Sequence, residues 1–138
     1  MEGQRKHILV VDMDHEFLID IERLLEDAGF ATTITWDLRE ALELLTSKQF
    51  DAVLLGHHAP ELQAADVLPR LQAVRKGPLY IVLQAGPNRA SEREVFLSRG
   101  ATAVLAKTIT AEFAGRIREL IAQQYDPAQG RLAAKRSA

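Results

Sequence analysis

Four positions that follow short apolar runs are the places where this chain could do chemistry. Asp12 follows the run 7–11, Gly56 follows the run 51–55, Gln84 closes the run 80–84, and Lys107 comes just after the run 102–105. Continuous apolar runs of this length are typical of strands buried on both faces of a parallel sheet. Because the carboxyl ends of parallel strands meet along one edge, the four positions are expected to line one crevice. A carboxylate and an ammonium group there can form an ion pair, whereas the glycine contributes no reactive group.

The other reactive side chains form no catalytic or metal-binding pattern. His57 and His58 are adjacent, so their side chains point apart, and they are interpreted as loop residues; a phosphohistidine or a metal ligand is the less favoured alternative. The chain has no cysteine, which excludes disulfides and thiolate metal sites. Neither a GxGxxG nor a GxxxxGKS/T motif is present, so the sequence indicates neither a dinucleotide site nor a P-loop. No nucleophile–base pair emerges, and the sequence therefore predicts a protein that is not an enzyme and that uses no metal or cofactor.

The elements that must position these residues are marked by caps and stops. Asp14 is expected to cap a first helix, and Gly29 is expected to end it. Residues 31–35 are rich in β-branched side chains and predict a second strand nearer an edge. A capping box led by Asp37 then opens a second helix.

The second half of the chain continues the same alternation of strands and helices. Since proline is tolerated only in the first turn of a helix, Pro69 places the start of the third helix near Asp66 and leaves 61–65 as a loop. A capping box at 91–94 opens the fourth helix, and Thr110 caps the fifth. Five strands alternating with five helices predict an α/β fold, a doubly wound five-stranded parallel sheet with right-handed crossovers.

Length and composition indicate one ordinary globular domain. The chain has 138 residues, of which 47% are hydrophobic and 26% charged. We expect the domain to occupy 1–125 and to be followed by a flexible basic tail, 126–138. The formal net charge of -2 disfavours nucleic acid as a general partner, although the tail leaves an acidic partner or nucleic acid as an alternative. No apolar run approaches the length of a membrane span, and the first residues are too polar for a signal peptide, so a cytoplasmic protein without a membrane partner is expected.

At the strand ends the chain resembles the receiver domain of two-component response regulators. The matching pieces are the run 8–12, the run 51–55 with Pro60 beyond it, and Gly100-Ala101 followed by Lys107. The resemblance covers 7–123 and implies a flavodoxin-like fold with strand order 2-1-3-4-5. In that family an aspartate ending the third strand accepts a phosphoryl group, and two acids after the first strand hold Mg²⁺. A hydroxyl after the fourth strand and a lysine after the fifth bind the phosphoryl oxygens.

Carried over position by position, the resemblance implies a degenerate phosphorylation pocket. Asp12 matches the first acid and Lys107 matches the lysine, but Met13 stands at the second acid, Gly56 at the phosphoacceptor and Gln84 at the hydroxyl. Without a carboxylate at 56 the chain has no nucleophile there, and a thioether offers Mg²⁺ no hard oxygen ligand. We therefore expect Lys107 to form a structural ion pair with Asp12.

The sequence thus predicts an atypical receiver domain that acts by protein–protein contact without phosphorylation. Two alternatives stay open: a phosphorelay receiver with a non-standard acceptor, and a module that binds a small molecule in the vacated crevice. Val104 replaces the usual aromatic switch residue and, being β-branched, has few rotamers. The partner is expected to be another signalling protein or a second copy, bound by the surface of the fourth helix, fifth strand and fifth helix. Its candidate interface residues are Arg89, Glu92, Arg93, Arg116, Arg118 and Glu119.

Overall fold

The computed structural model describes residues 5–58, 61–86, 90–126 and 131–132, and its centre is a five-stranded parallel sheet. The strands are β1 (His7–Val11), β2 (Ala31–Thr35), β3 (Ala52–Gly56), β4 (Leu79–Gln84) and β5 (Ala103–Ala106). They lie in the order β2-β1-β3-β4-β5, and every neighbouring pair is parallel. The predicted fold class, strand order and central third strand are confirmed.

Five helices cover the two faces of this sheet. They are α1 (His15–Asp27), α2 (Leu38–Ser47), α3 (Ala64–Val74), α4 (Ala90–Ser98) and α5 (Ala111–Gln124). Side chains of α1 and α5 pack with Ile8 and Val10 of β1, whereas those of α2, α3 and α4 pack with Leu9 and Val11. Because successive side chains of a strand point to opposite faces, each face of β1 requires apolar residues. This explains the continuous apolar run, and full burial of each such side chain contributes about 1.5–3 kcal/mol.

The predicted caps of the first and last helices are present. The Asp14 carboxylate accepts a hydrogen bond from the backbone N–H of Phe17 at 3.1 Å, and the Thr110 hydroxyl accepts one from Phe113 at 3.1 Å. Gly29 follows α1 with a φ of 102°, a left-handed conformation that glycine adopts without steric cost. These contacts fix where the loops at the ends of β1 and β5 turn into helices.

Both predicted capping boxes were wrong in detail. Asp37 caps α2 by accepting from the backbone N–H of Arg39, but the Glu40 carboxylate bonds the Thr35 hydroxyl and does not reach back to the cap. Helix α4 already includes residue 90, so Ser91 lies inside it and is not its cap. At α2 the Glu40 side chain bonds Thr35 of β2 instead of the cap, and α4 begins earlier than the capping pattern predicts.

The start of α3 was also predicted too late. The helix begins at Ala64, and Pro69 therefore lies beyond its first turn. A proline there cannot donate to the carbonyl four residues before it, which is that of Ala65. The guanidinium of Arg99 donates to this carbonyl at 3.2 Å, so a side chain from the end of α4 replaces the missing backbone donor. The proline is tolerated because its lost hydrogen bond is supplied from outside the helix.

Beyond α5 the described chain forms a short separate pairing. Tyr125–Asp126 (β6) pairs antiparallel with Arg131–Leu132 (β7), outside the main sheet. Residues 127–130 and 133–138 lie outside the described part, so the flexible tail stays a prediction. No helix in the described ranges is long and apolar enough to cross a membrane.

Candidate functional site

The crevice at the carboxyl ends of the strands is organised around the buried side chain of Asp12. This residue is 0% exposed, and its Oδ1 accepts three hydrogen bonds. The donors are the backbone N–H of Asp14 at 2.8 Å, the ammonium group of Lys107 at 3.0 Å and Nε2 of His58 at 2.7 Å. A buried carboxylate is stable only when it is paired and hydrogen-bonded, and this one has both kinds of partner.

Lys107 and His58 contact each other as well as Asp12. The Lys107 Nζ lies 3.1 Å from His58 Nε2 and 4.5 Å from the centroid of the Phe17 ring, which adds a cation–π contact. Nε2 of His58 lies between a donor, the ammonium group of Lys107, and an acceptor, the carboxylate of Asp12. It can form a hydrogen bond with only one of them, because it either accepts or donates. The short distance to Asp12 favours the tautomer that carries the proton on Nε2 and donates it to the carboxylate. Asp12 is thereby the shared acceptor of the cluster.

The second oxygen of Asp12 lies against Gly56, where only a glycine fits. A Cβ atom built on Gly56 would stand 2.7 Å from Cγ of Asp12 and closer still to Oδ2. Carbon atoms in contact normally lie about 3.5–4.0 Å apart, so any side chain at 56 would displace the carboxylate. Oδ2 has no hydrogen-bond partner among the described residues. The carboxylate of Asp12 thus occupies the space into which a side chain at 56 would project.

Gln84, at the end of β4, belongs to a different set of contacts. Its amide nitrogen donates to the carboxylate of Glu92 on α4, and the residue is buried. Its Oε1 has no partner among the described residues. Gln84 and Val104 line a cavity of 40 Å³, which is space for about one water molecule. The amide therefore ties α4 to the sheet and has no described contact with Asp12.

Comparisons with known proteins match this chain to one family. A family model, the response regulator receiver domain, matches residues 8–118. This chain belongs to the response regulator receiver family. It is similar to the response regulator MprA of Mycolicibacterium vanbaalenii, with 34% identity over 115 residues that make up 83% of this chain and 49% of that protein. The transcriptional regulatory protein CpxR of Escherichia coli is 29% identical over 119 residues, 86% of this chain and 50% of that one.

A solved structure shares the fold of this receiver domain. The CheY-like receiver domain protein of Methanospirillum hungatei superimposes with a TM-score of 0.75 at 24% identity, covering 86% of this chain and 94% of that one. The chain spans about half the length of the curated relatives it matches. It is a receiver domain of two-component signalling.

The receiver fold brings together only part of the predicted pocket. Asp12, Gly56 and Lys107 meet in the crevice, and the expected Asp12–Lys107 ion pair is present. Met13 is 39% exposed, and Gln84 turns to α4. The Asp51 carboxylate lies at the opposite end of β3, where it accepts from the backbone N–H of residue 7 at 2.8 Å.

The candidate interface residues lie in two places. Arg93, Arg116 and Glu119 lie near β5 or on the exposed side of α5, whereas Arg118 lies beside the end of α1. Arg93 donates to the backbone carbonyl of Val104 at 3.2 Å, and Arg116 pairs with Glu119 at 3.4 Å on the exposed side of α5. Arg118 was wrongly assigned to this surface, because its guanidinium bonds the carbonyl of Ala28 and lies over Phe30, beside the end of α1. Arg89 lies outside the described residues. Val104 is buried in the part of the core that also contains Phe96 of α4.

His58 is the site residue that the sequence analysis missed. It was interpreted as a loop residue, but its backbone bridges to Leu62 with N–H···O distances of 2.8 and 2.6 Å, and this holds its ring in the crevice. The two histidines do point apart: the ring of His57 accepts from the backbone N–H of Ala64 at 3.2 Å and packs on Phe96. The available signal was the two-residue alternation continued past β3, which puts 58 on the same side as 56.

Proposed function

We propose that this receiver domain works by protein–protein contact and is not phosphorylated. The observation that supports the proposal is the position of Asp12, whose carboxylate fills the space beside Gly56. In the receiver domains that this chain resembles, that space belongs to the aspartate that accepts the phosphoryl group. The crevice is occupied by an internal ion pair in place of a reactive side chain.

The chemistry of the crevice argues against phosphoryl transfer. A phosphoacceptor must present an oxygen that can attack the phosphorus atom of a phosphodonor, and Asp12 is fully buried with Oδ1 bonded to three donors. Mg²⁺ requires oxygen ligands in octahedral geometry, and Met13 offers a thioether where the resemblance places a carboxylate. Without a nucleophile at 56 and without the second acid of the metal site, the domain is inferred to carry no enzymatic or phosphoacceptor activity.

The contacts of Lys107 give the cluster a structural role. In a phosphorylated receiver the matching lysine binds the phosphoryl group, but here Lys107 is held by Asp12, His58 and the ring of Phe17. The cluster joins the ends of β1, β3 and β5 in one arrangement. A small molecule in a vacated crevice is not favoured, because Asp12 and His58 fill it.

A receiver surface held in one arrangement can still recognise a partner. Val104 is buried and has few rotamers, so it offers no large ring that moves between buried and exposed positions. We infer that α4, β5 and α5 form a constitutive interface for a second copy of the chain or for another signalling protein. Its charged residues, Arg93, Arg116 and Glu119, suit selective pairing.

The proposal is tested by offering the domain a phosphodonor. After incubation with acetyl phosphate and Mg²⁺, intact-mass measurement is expected to show no phosphoryl adduct on the wild type. Gly56→Asp alone should react poorly, because the new side chain meets Asp12 and Met13 still withholds a metal ligand. Gly56→Asp combined with Met13→Asp should accumulate adduct.

Met13→Asp alone is the matched control and should stay unmodified, since it restores a ligand without a nucleophile. A stoichiometric adduct on the wild type would contradict the proposal. If that adduct is lost in acid but survives alkali, it would identify His58 or another histidine as the acceptor and support the phosphorelay alternative.

A further inference from the structure

A second concave site lies at the other end of the strands. Arg5 and Lys6 precede β1, whereas Asp12 follows it. The cavity that Arg5 and Lys6 line therefore lies at the amino ends of the strands, and the crevice lies at their carboxyl ends. The cavity has a volume of 350 Å³, at the lower end of the range for small-molecule sites of about 300–1,000 Å³. Gly29 and the last turns of α5 complete its wall.

The cavity combines an apolar floor with a cationic rim. Phe30 and Ile121 are buried side chains that belong to the hydrophobic core, and they form the floor. The cations are Arg5, Lys6 and Arg118, and no acidic residue is among the described residues that line the space. This composition favours a ligand that has both an apolar body and a negative charge.

The two arginines keep donors available for such a ligand. Arg118 lies with its Cζ 5.2 Å from the centroid of Phe30 and bonds the Ala28 carbonyl through Nη2. Arg5 uses Nη1 for Glu26 at 3.3 Å and for the Phe30 carbonyl at 3.4 Å. A guanidinium has five N–H donors, so these contacts with described residues use only part of each group. They also hold the planar groups in place, which reduces the entropy lost when an anion binds.

Lys6 adds a third positive charge, which forms only a weak ion pair. Its Nζ lies 4.0 Å from the nearer oxygen of Asp51, which is longer than a hydrogen bond, and its side chain is mostly exposed. Three cations around one apolar floor attract a carboxylate more strongly than they attract a neutral group.

We propose that this cavity binds a small carboxylate with an apolar body, in the size range of a medium-chain fatty acid or an aromatic acid. The carboxylate would accept from Arg118 and Arg5, and the apolar part would cover Phe30 and Ile121. The site is independent of the crevice and of the function proposed for it.

The test is a titration of the full chain with octanoate, followed by amide chemical shifts in nuclear magnetic resonance. We expect saturable shifts at Gly29, Phe30 and Ala122. Octanol and inorganic phosphate should each bind at least about tenfold more weakly than octanoate, since octanol lacks the negative charge and phosphate lacks the apolar body. Arg118→Gln should weaken octanoate binding by about tenfold, because it removes a charged donor pair. Arg39→Gln is the matched control: it makes the same substitution at an exposed arginine of α2, outside the cavity, and should leave binding unchanged.

Thermal unfolding of each variant shows whether the fold survives, and Arg5→Gln is the second variant if Arg118→Gln unfolds. The proposal is overturned if octanol binds as well as octanoate, if the Arg118 and Arg39 variants bind equally, or if octanoate shifts no amide around the cavity. The state of the crevice affects none of these outcomes, so a failure here leaves the phosphodonor test unaffected.

Discussion

At the residue scale, the charge of Asp12 depends on partners from distant parts of the chain. Lys107 is separated from it by most of the sequence, and His58 comes from the loop after β3. A fully buried carboxylate cannot recover lost partners from water, whereas an exposed ion pair can. The cluster is therefore expected to couple the two halves of the domain energetically.

Lys107→Met should destabilise the domain by about 3–5 kcal/mol, because it leaves a buried charge without its counterion. Urea unfolding measures the change. Adding Asp12→Asn should restore a large part of the loss, since the double variant buries no unpaired charge. Lys6→Met makes the same substitution in an exposed pair and should cost less than about 1 kcal/mol. Equal losses for Lys107→Met and Lys6→Met would show that the buried pair has no special role.

The sequence predicted the Asp12–Lys107 pair but not its third member. The pair followed from two strand ends, because parallel strands deliver their carboxyl-terminal residues to one edge. His58 lies in a loop, and its direction is set by the backbone bridge to Leu62 and by the space that Gly56 leaves open. The alternation continued past β3 puts 58 on the same side as 56. Neither the bridge nor the open space is written in the local pattern around 57–58, so the contact of the ring with Asp12 could not be predicted.

At the element scale, helix α3 is held by groups that lie outside it. Its first N–H is bonded by His57, and the carbonyl orphaned by Pro69 is bonded by Arg99. At its other end the Tyr80 hydroxyl, on β4, donates to the carbonyl of Arg75 and lies 3.3 Å from that of Leu71. Burial raises the pKa of this phenol to about 12, with Arg75 acting in the opposite direction.

Tyr80→Phe should cost about 1 kcal/mol at neutral pH, the usual value of a buried hydrogen bond. The tyrosine also makes the wild type sensitive to alkali. Because the folded phenol has the higher pKa, its contribution to stability is complete below about pH 10, where the unfolded phenol ionises, and is lost as pH rises towards about 12.

Urea unfolding between neutral and alkaline pH measures both effects, with Tyr125→Phe as the control for the other tyrosine. The Tyr80→Phe variant should lose less stability than the wild type over that alkaline range. An identical alkaline decline in the two proteins would mean that Tyr80 is not the group that titrates.

The strands were predictable because burial on both faces demands unbroken apolar runs, such as 8–11 and 52–55. The start of α3 was not, because it depends on Arg99 and His57, which are remote in sequence from Pro69. A rule for isolated helices places a proline in the first turn. A tertiary donor overrides that rule, and no local pattern reports such a donor.

At the scale of the whole molecule, the edge of the sheet formed by β5 carries the proposed contact surface. Arg93 is tied to β5 through the carbonyl of Val104, and Arg116 and Glu119 lie exposed on α5. The opposite edge, formed by β2, is flanked by α1 and α2 and carries Arg39 as an exposed charge of the same kind. Arg39 is therefore a control position outside the proposed contact surface.

Arg93→Glu combined with Arg116→Glu should weaken self-association, or capture of a purified signalling partner, by tenfold or more without unfolding the domain. Sedimentation equilibrium and partner titration measure the two cases, each with and without acetyl phosphate. Arg39→Glu should leave both unchanged. Loss of binding in the Arg39 variant alone would move the interface to the β2 edge, and a strong dependence on acetyl phosphate would contradict phosphorylation-independent contact.

The contact between Asp12 and Gly56 also has a consequence for evolution. Any single substitution at 56 introduces a Cβ that collides with the carboxylate, so it is expected to destabilise the domain whatever the new side chain is. Reversion to an aspartate would require Asp12 to leave the position in which His58 and Lys107 hold it. Among descendants of this chain we therefore expect glycine at 56 to persist together with the Asp12–His58–Lys107 set, and these four positions to vary as a group.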